Sequence, residues 1–175
     1  MPSRFSTIIL VCAVFLVSLG SGYEGADVIF DVDLTKSELS VVASGVRGPS
    51  FRVATGSPYH PTPTGEFAVK RWIANPTFTP GPVARSRGAQ QAPASENGPL
   101  GFAKMPFFES FQVHGGAHRY AIGMPATLGC VELTNASMRA LDAWLAEAGA
   151  LDPAVLTPKG ERVHAFRGPA LLRIR

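Results

Sequence analysis

One thiol and one imidazole in this sequence have the setting that acyl chemistry requires. His114 follows the stretch Phe111, Gln112, Val113 and precedes Gly115 and Gly116, while Cys130 follows Thr127, Leu128 and Gly129 and precedes Val131, Glu132 and Leu133. A histidine at the end of a strand, followed by glycines, holds its ring at a rim with little bulk around it. The glycine before Cys130 leaves the backbone there equally open. An unperturbed thiol has a pKa of about 8.5, so it needs a base or a cation beside it to attack near neutral pH. His114 is the obvious partner. Taken singly, each residue has an ordinary explanation, since lone cysteines are among the most buried residue types and a histidine in an apolar strand usually serves structure. Paired and flanked by glycine, they form a candidate nucleophile and base.

Other chemistry is less well supported. His114, His118 and Cys130 could offer three metal ligands with an open fourth position, but that histidine spacing suits a helix face and Gly115 and Gly116 argue against a helix. No metal is expected. His60 and His164 read as surface residues of a loop and a strand, and Asp31 and Asp33 as solvated residues on one strand face. There is no phosphate-cradling loop, and Arg85 and Arg87 on a loop are no basic patch, so nucleic acid is not an expected partner.

The N-terminus carries Arg4, an apolar run over residues 8–19 broken only by Ser18, and then Gly20, Ser21 and Gly22. Residues 1–22 therefore read as a secretory signal peptide. Twelve residues of helix rise about 18 Å, short of a hydrocarbon core of about 30 Å. Membrane contact is expected only through this signal. Of the two cysteines, Cys12 lies inside the apolar run and leaves with it, so the exported chain keeps Cys130 as its single thiol. Two cysteines in all exclude a disulfide framework and a zinc module built from cysteine pairs. The 175 residues carry a net charge of +3 and 46% hydrophobic content, enough for one domain with its own core and too apolar for a disordered chain. Its 18 glycines and 15 prolines favour many short strands over a helical bundle.

These residues need strands to hold them. Val28, Phe30, Val32 and Leu34 fall on one face of a period-two pattern and Asp27, Asp31 and Asp33 on the other, with Ile29 out of place. Runs with Leu39 and Val41, then Phe51 and Val53, continue the pattern and predict antiparallel strands. A rigid turn over residues 60–65 leads into a strand over 66–69. Residues 75–99 hold five prolines and three glycines without apolar period and predict a long loop, a candidate lid. Residues 107–113 form the next strand. A helix is predicted after the N-cap Thr134, with Met138, Leu141 and Leu145 at helical spacing beside Trp144, ending at Gly149. Segments 163–166 and 171–174 supply closing strands.

In this order, Asp31-Val32-Asp33-Leu34, Val53-Ala54-Thr55-Gly56, Thr62-Pro63-Thr64-Gly65-Glu66-Phe67, Gly98-Pro99-Leu100-Gly101, His114-Gly115 and residues 127–133 around Gly129 and Cys130 resemble the YkuD-type L,D-transpeptidase catalytic domain. The resemblance runs from about residue 27 to 144. It implies an all-β fold, a β-sandwich with one main α-helix after Cys130, making residues 23–175 the catalytic domain. It also implies an enzyme of the bacterial envelope or periplasm, without cofactor and expected as a monomer, whose partners are peptidoglycan stem peptides. In such enzymes the thiolate attacks the carbonyl of the third stem residue, a diamino acid, and expels the terminal D-alanine; an amine of another stem, or water, resolves the acyl-enzyme. Cys130 matches the nucleophile and His114 the base. Gly129 and the backbone N–H groups around Cys130 match the oxyanion site, and Thr127 matches a Ser or Thr beside the cysteine. Gly115, Gly116, His118, Arg119, Leu128 and Glu132 are the expected substrate contacts.

Two positions depart from the family. Leu128 stands where a histidine is common and Glu132 where an arginine is common. A carboxylate beside a thiol disfavours the thiolate and repels an anionic stem, unless a cation such as Arg119 or Arg139 pairs with Glu132 or its side chain faces solvent. A hydrolase acting on the same stems, an L,D-carboxypeptidase or endopeptidase, and a silent peptidoglycan-binding module are the alternatives.

Overall fold

The computed structural model describes residues 27–175. The expected export signal, residues 1–22, lies outside them. Strand β1 (Val28–Asp33) buries Val28, Phe30 and Val32 and turns Ile29, Asp31 and Asp33 to the other side. Asp33 ends the strand, its Oδ1 accepting from the N–H groups of Thr35 (3.0 Å) and Lys36 (3.1 Å), and β2 (Glu38–Ala43) returns antiparallel with Leu39 and Val41 on the buried face. β3 (Val46–Arg52), β4 (Thr55–Gly56) and the ten-residue β5 (Gly65–Ala74) follow. After a short helix α1 (Pro82–Ser86) come β6 (Ala103–Phe108), β7 (Phe111–His114), β8 (Pro125–Thr127) and β9 (Val131–Glu132). Helix α2 (Asn135–Glu147), β10 (Val155–Leu156) and β11 (Arg162–Ile174) complete the chain.

Nine strands form one curled sheet in the order β3-β2-β1-β11-β5-β6-β7-β9, with β10 on β11; β4 and β8 form a small parallel pair. The pairing of β1 with β11 is parallel, as is that of β7 with β9. Helix α2 is the principal helix, as expected. Thr134 caps it, accepting the Ser137 N–H at 3.1 Å, and Met138, Leu141 and Leu145 are fully buried. Trp72 joins them in the core and donates its indole N–H to Asp142 at 2.6 Å, so the one large polar-tipped side chain there is satisfied.

Four expectations change. The strand expected over 107–113 is a hairpin, β6 and β7, turned at Glu109 with φ +45°. The strand expected over 66–69 runs on to Ala74 because Trp72 and Ile73 resume the buried side after Lys70 and Arg71. The two closing segments are a single strand, β11, with a bulge between Ala165 and Ala170. The long segment 75–99 contains α1, begun by Pro82, and a bridge between Phe78 and Ala92.

Candidate active site

Strand register assembles the site. His114 and Glu132 are directly opposed on the parallel strands β7 and β9, so their side chains leave the sheet on one face. Cys130 lies two residues before Glu132 and shares that face, while Val131 and Leu133 between and after them are fully buried on the other. The chain thus presents thiol, imidazole and carboxylate together from two adjacent strand ends.

The His114 ring, 6% exposed, has a defined orientation. Its Nδ1 lies 2.7 Å from the Gly115 carbonyl, which can only accept, so Nδ1 carries the proton and Nε2 is left for the site. The Glu132 Oε1 stands 3.7 Å from Nε2, and Cys130 lies near enough to the ring to act on its titration. Burial alone pushes the imidazole pKa down, but the hydrogen bond and charge of Cys130, the charge of Glu132 and the Gly115 carbonyl outweigh it, and the net shift is upward.

The turn before Cys130 is held by Thr127, itself buried. Its hydroxyl donates to the Cys130 carbonyl (2.7 Å) and accepts the Gly129 N–H (3.1 Å). Gly129 has φ +108°, and a Cβ there would stand 2.5 Å from the Phe111 ring, so both backbone and space demand glycine.

His114, Cys130 and Glu132 line a pocket of about 460 Å³ together with Leu128, Phe111 and Gln112. Its walls come from the turn Tyr59-His60-Pro61 and from the segment 78–84. His60, expected as a surface loop residue, is therefore part of the pocket, and its Nε2 accepts from Arg87 Nη2 at 2.9 Å across to the α1 segment. That segment is tied at both ends. Thr77 donates N–H and hydroxyl to Glu161 (2.9 and 2.8 Å) at one end, and at the other Asn135 Oδ1 accepts from Phe102 N–H (2.8 Å) and Gly116 N–H (3.0 Å) while its Nδ2 donates to the Glu96 carbonyl (3.2 Å). Sequence reasoning missed Asn135; its position directly after a helix N-cap, facing two glycine turns, was the available signal.

Of the expected contacts, Leu128 and Glu132 line the pocket, Gly115 orients His114, and Gly116 is held by Asn135. His118 stacks on Tyr120 with centroids 5.3 Å apart, and it and Arg119 are exposed on the loop outside the pocket lining. Arg139 pairs with Glu96 at 2.7 Å and sits over the Phe102 ring, so the carboxylate it answers is not Glu132. Glu132, its side chain 26% exposed, faces His114 instead. Among the described residues no cluster of three His, Cys, Asp or Glu side chains could hold a metal ion.

A curled sheet presenting a thiol and an imidazole at the floor of a pocket defines the class of protein. The model of the L,D-transpeptidase catalytic domain matches residues 27–163, and the chain belongs to that family. Solved structures agree on the fold. An L,D-transpeptidase from Mycobacterium smegmatis is 17% identical with a TM-score of 0.51, the match covering 86% of this chain and 59% of that one. An Enterococcus faecium L,D-transpeptidase cysteine-to-serine mutant is 17% identical, TM-score 0.55, covering 85% and 50%. L,D-transpeptidase 3 from Mycobacterium tuberculosis, in complex with a faropenem-derived adduct, is 14% identical, TM-score 0.56, covering 85% and 60%. The chain thus spans about half to three-fifths of the length of these proteins. No curated protein sequence matches it.

Proposed function

We propose that this chain is a cysteine-dependent L,D-transpeptidase of the cell envelope, exported by residues 1–22 and acting on peptidoglycan stem peptides through residues 23–175. The observation that carries the reading is the fixed His114 ring, with Nδ1 tied to the Gly115 carbonyl and the Cys130 thiol lining the same pocket. Family membership supports the reaction class.

His114 Nε2 takes the thiol proton, and the Cys130 sulfur attacks the carbonyl carbon of the third stem residue. The C–N bond to the terminal D-alanine breaks, His114 returns the proton to the leaving amine, and a thioester remains. The Cys130 N–H is the oxyanion donor we assign, because the Gly129 N–H already donates to Thr127. Thr127 and Gly129 shape the turn that aims it. Leu128 and Glu132 contact the stem inside the pocket, and Gly116, His118 and Arg119 meet it on the loop outside. An amine of a second stem then displaces the sulfur.

A carbapenem tests the thiol directly. A solved LD transpeptidase in complex with imipenem makes that compound the natural probe. Wild type should gain one imipenem adduct by intact mass and Cys130→Ala none, and muropeptides should yield crosslinked dimers. A chain that takes up no adduct and leaves muropeptides intact is not an enzyme of this kind, and one that gives only shortened stems is a hydrolase.

A further inference from the structure

We propose that Glu132 recruits the acyl acceptor: its carboxylate binds the ammonium group of the incoming stem amine beside the catalytic base and so favours amide formation over hydrolysis. This rests on the transpeptidase reading above and names the acceptor class for that site. Glu132 is the only carboxylate among the described residues lining the pocket, and no lysine or arginine lines it. Much of the remaining wall is apolar, from Phe78, Val83, Leu100, Phe111 and Leu128. Such a pocket excludes a cation unless an anion receives it. Glu132 is accessible, with a side chain 26% exposed, and the titratable group it faces among the described residues is the His114 ring, whose Nε2 is 3.7 Å away, rather than an arginine.

That position selects the acceptor over the donor. The atom that must reach His114 Nε2 in the second half-reaction is the acceptor nitrogen, and alkyl amines arrive protonated, with pKa values of about 10. Glu132 meets the ammonium where it has to lose its protons. One proton passes through the carboxylate to solvent. The second goes to His114 as the C–N bond forms and the C–S bond breaks, returning the Cys130 thiolate beside a protonated imidazole. Atoms and charge balance without a further reactant.

The test is the partition of one acyl-enzyme. A tetrapeptide stem serves as donor and a tripeptide stem ending in a diamino acid as acceptor, and the ratio of crosslinked dimer to hydrolysed stem is read by mass spectrometry. Glu132→Gln should lower that ratio about tenfold, the loss of one half-buried charge-assisted contact. Glu132→Asp, which keeps the charge on a shorter arm, should fall between, and it carries the test if the Gln variant does not fold. With hydroxylamine, uncharged near neutral pH, as the nucleophile, the ratio should not respond to Glu132→Gln. An unchanged dimer ratio, or an equal loss with hydroxylamine, overturns the proposal, since a residue acting only through His114 slows aminolysis and hydrolysis alike. A wild type that forms the acyl-enzyme but only hydrolyses it also overturns it while leaving the thioester chemistry intact. Absence of any acyl-enzyme in wild type removes the transpeptidase reading itself.

Discussion

His114 is pulled in two electrostatic directions. Burial disfavours its charged form, while Cys130, Glu132 and the Gly115 carbonyl favour it, and the second set prevails. Cys130→Ala removes the hydrogen bond and the charge, so the His114 titration midpoint followed by NMR should move down, and Glu132→Gln should move it the same way; an upward shift in either would contradict the placement of Nε2. The sign for stability follows. Because the folded pKa lies above the ordinary value, the stabilisation is complete below about 6.5 and is lost as pH rises through the raised folded value. His114→Gln should therefore lower Tm more at about pH 5 than at about pH 9. Gly129 makes a separate prediction. With φ +108° and the Phe111 ring behind it, Gly129→Ala should cost roughly 1–3 kcal/mol and about 2–4 °C of Tm per kcal/mol, and abolish imipenem uptake. Adding Phe111→Ala relieves the contact but not the backbone, so the double variant should recover only part of the stability. Full recovery would mean that space alone matters.

At the scale of elements, what the sequence made visible was local and what it concealed was pairing. The alternation in β1, the apolar spacing of α2 and the Thr134 cap are all read within a few residues, and the folded chain keeps them. Cys130 and His114 stood out by residue type and glycine neighbours. The orientation of Glu132 did not, because it depends on β9 lying parallel to β7, a contact between separate segments that no local pattern encodes. Glu109 and Ser110 hid the β6–β7 hairpin for another reason: they are not the Asn-Gly or Asp-Gly type that announces a tight turn. Asn135 was hidden by its neighbour's more obvious role as a cap. Its side chain ties three separate segments, and Asn135→Ala leaves the Phe102 and Gly116 N–H groups without their acceptor. The expected cost is about 1–3 kcal/mol, read as a drop in Tm, with imipenem acylation slowed as the loop after His114 loosens. Asn135→Asp, which keeps the Oδ1 acceptor, should recover most of the stability, and failure to do so would assign the effect to the Glu96 contact instead.

Across the whole molecule, the sheet brings distant parts of the chain to one pocket. Parallel pairing of β1 with β11 joins the beginning and end of the described chain, and the sheet order carries β7 and β9 to its far edge, where residues 59–61 and 78–84 line the same pocket as the thiol. The segment 75–99 is pinned at Thr77 and again near Glu96, where Arg139 and Arg162 hold the carboxylate at 2.7 and 3.2 Å and keep its pKa below the ordinary value. Between those anchors, the contact of Arg87 with His60 links its middle to the opposite wall. An exposed side-chain contact of this kind contributes at most about 1 kcal/mol, so Arg87→Ala should barely change Tm. Local opening is another matter, because the same small energy is a large share of what holds the middle of a segment fixed only at its ends. Hydrogen exchange should accelerate severalfold over residues 78–89 in Arg87→Ala while β1, β5 and β11 keep their protection. Acylation by a muropeptide, which must pass between the two walls, should respond more than acylation by imipenem, which is smaller. Equal exchange in the variant and wild type would show that the anchors alone hold the wall, and that access to Cys130 does not depend on the Arg87 contact.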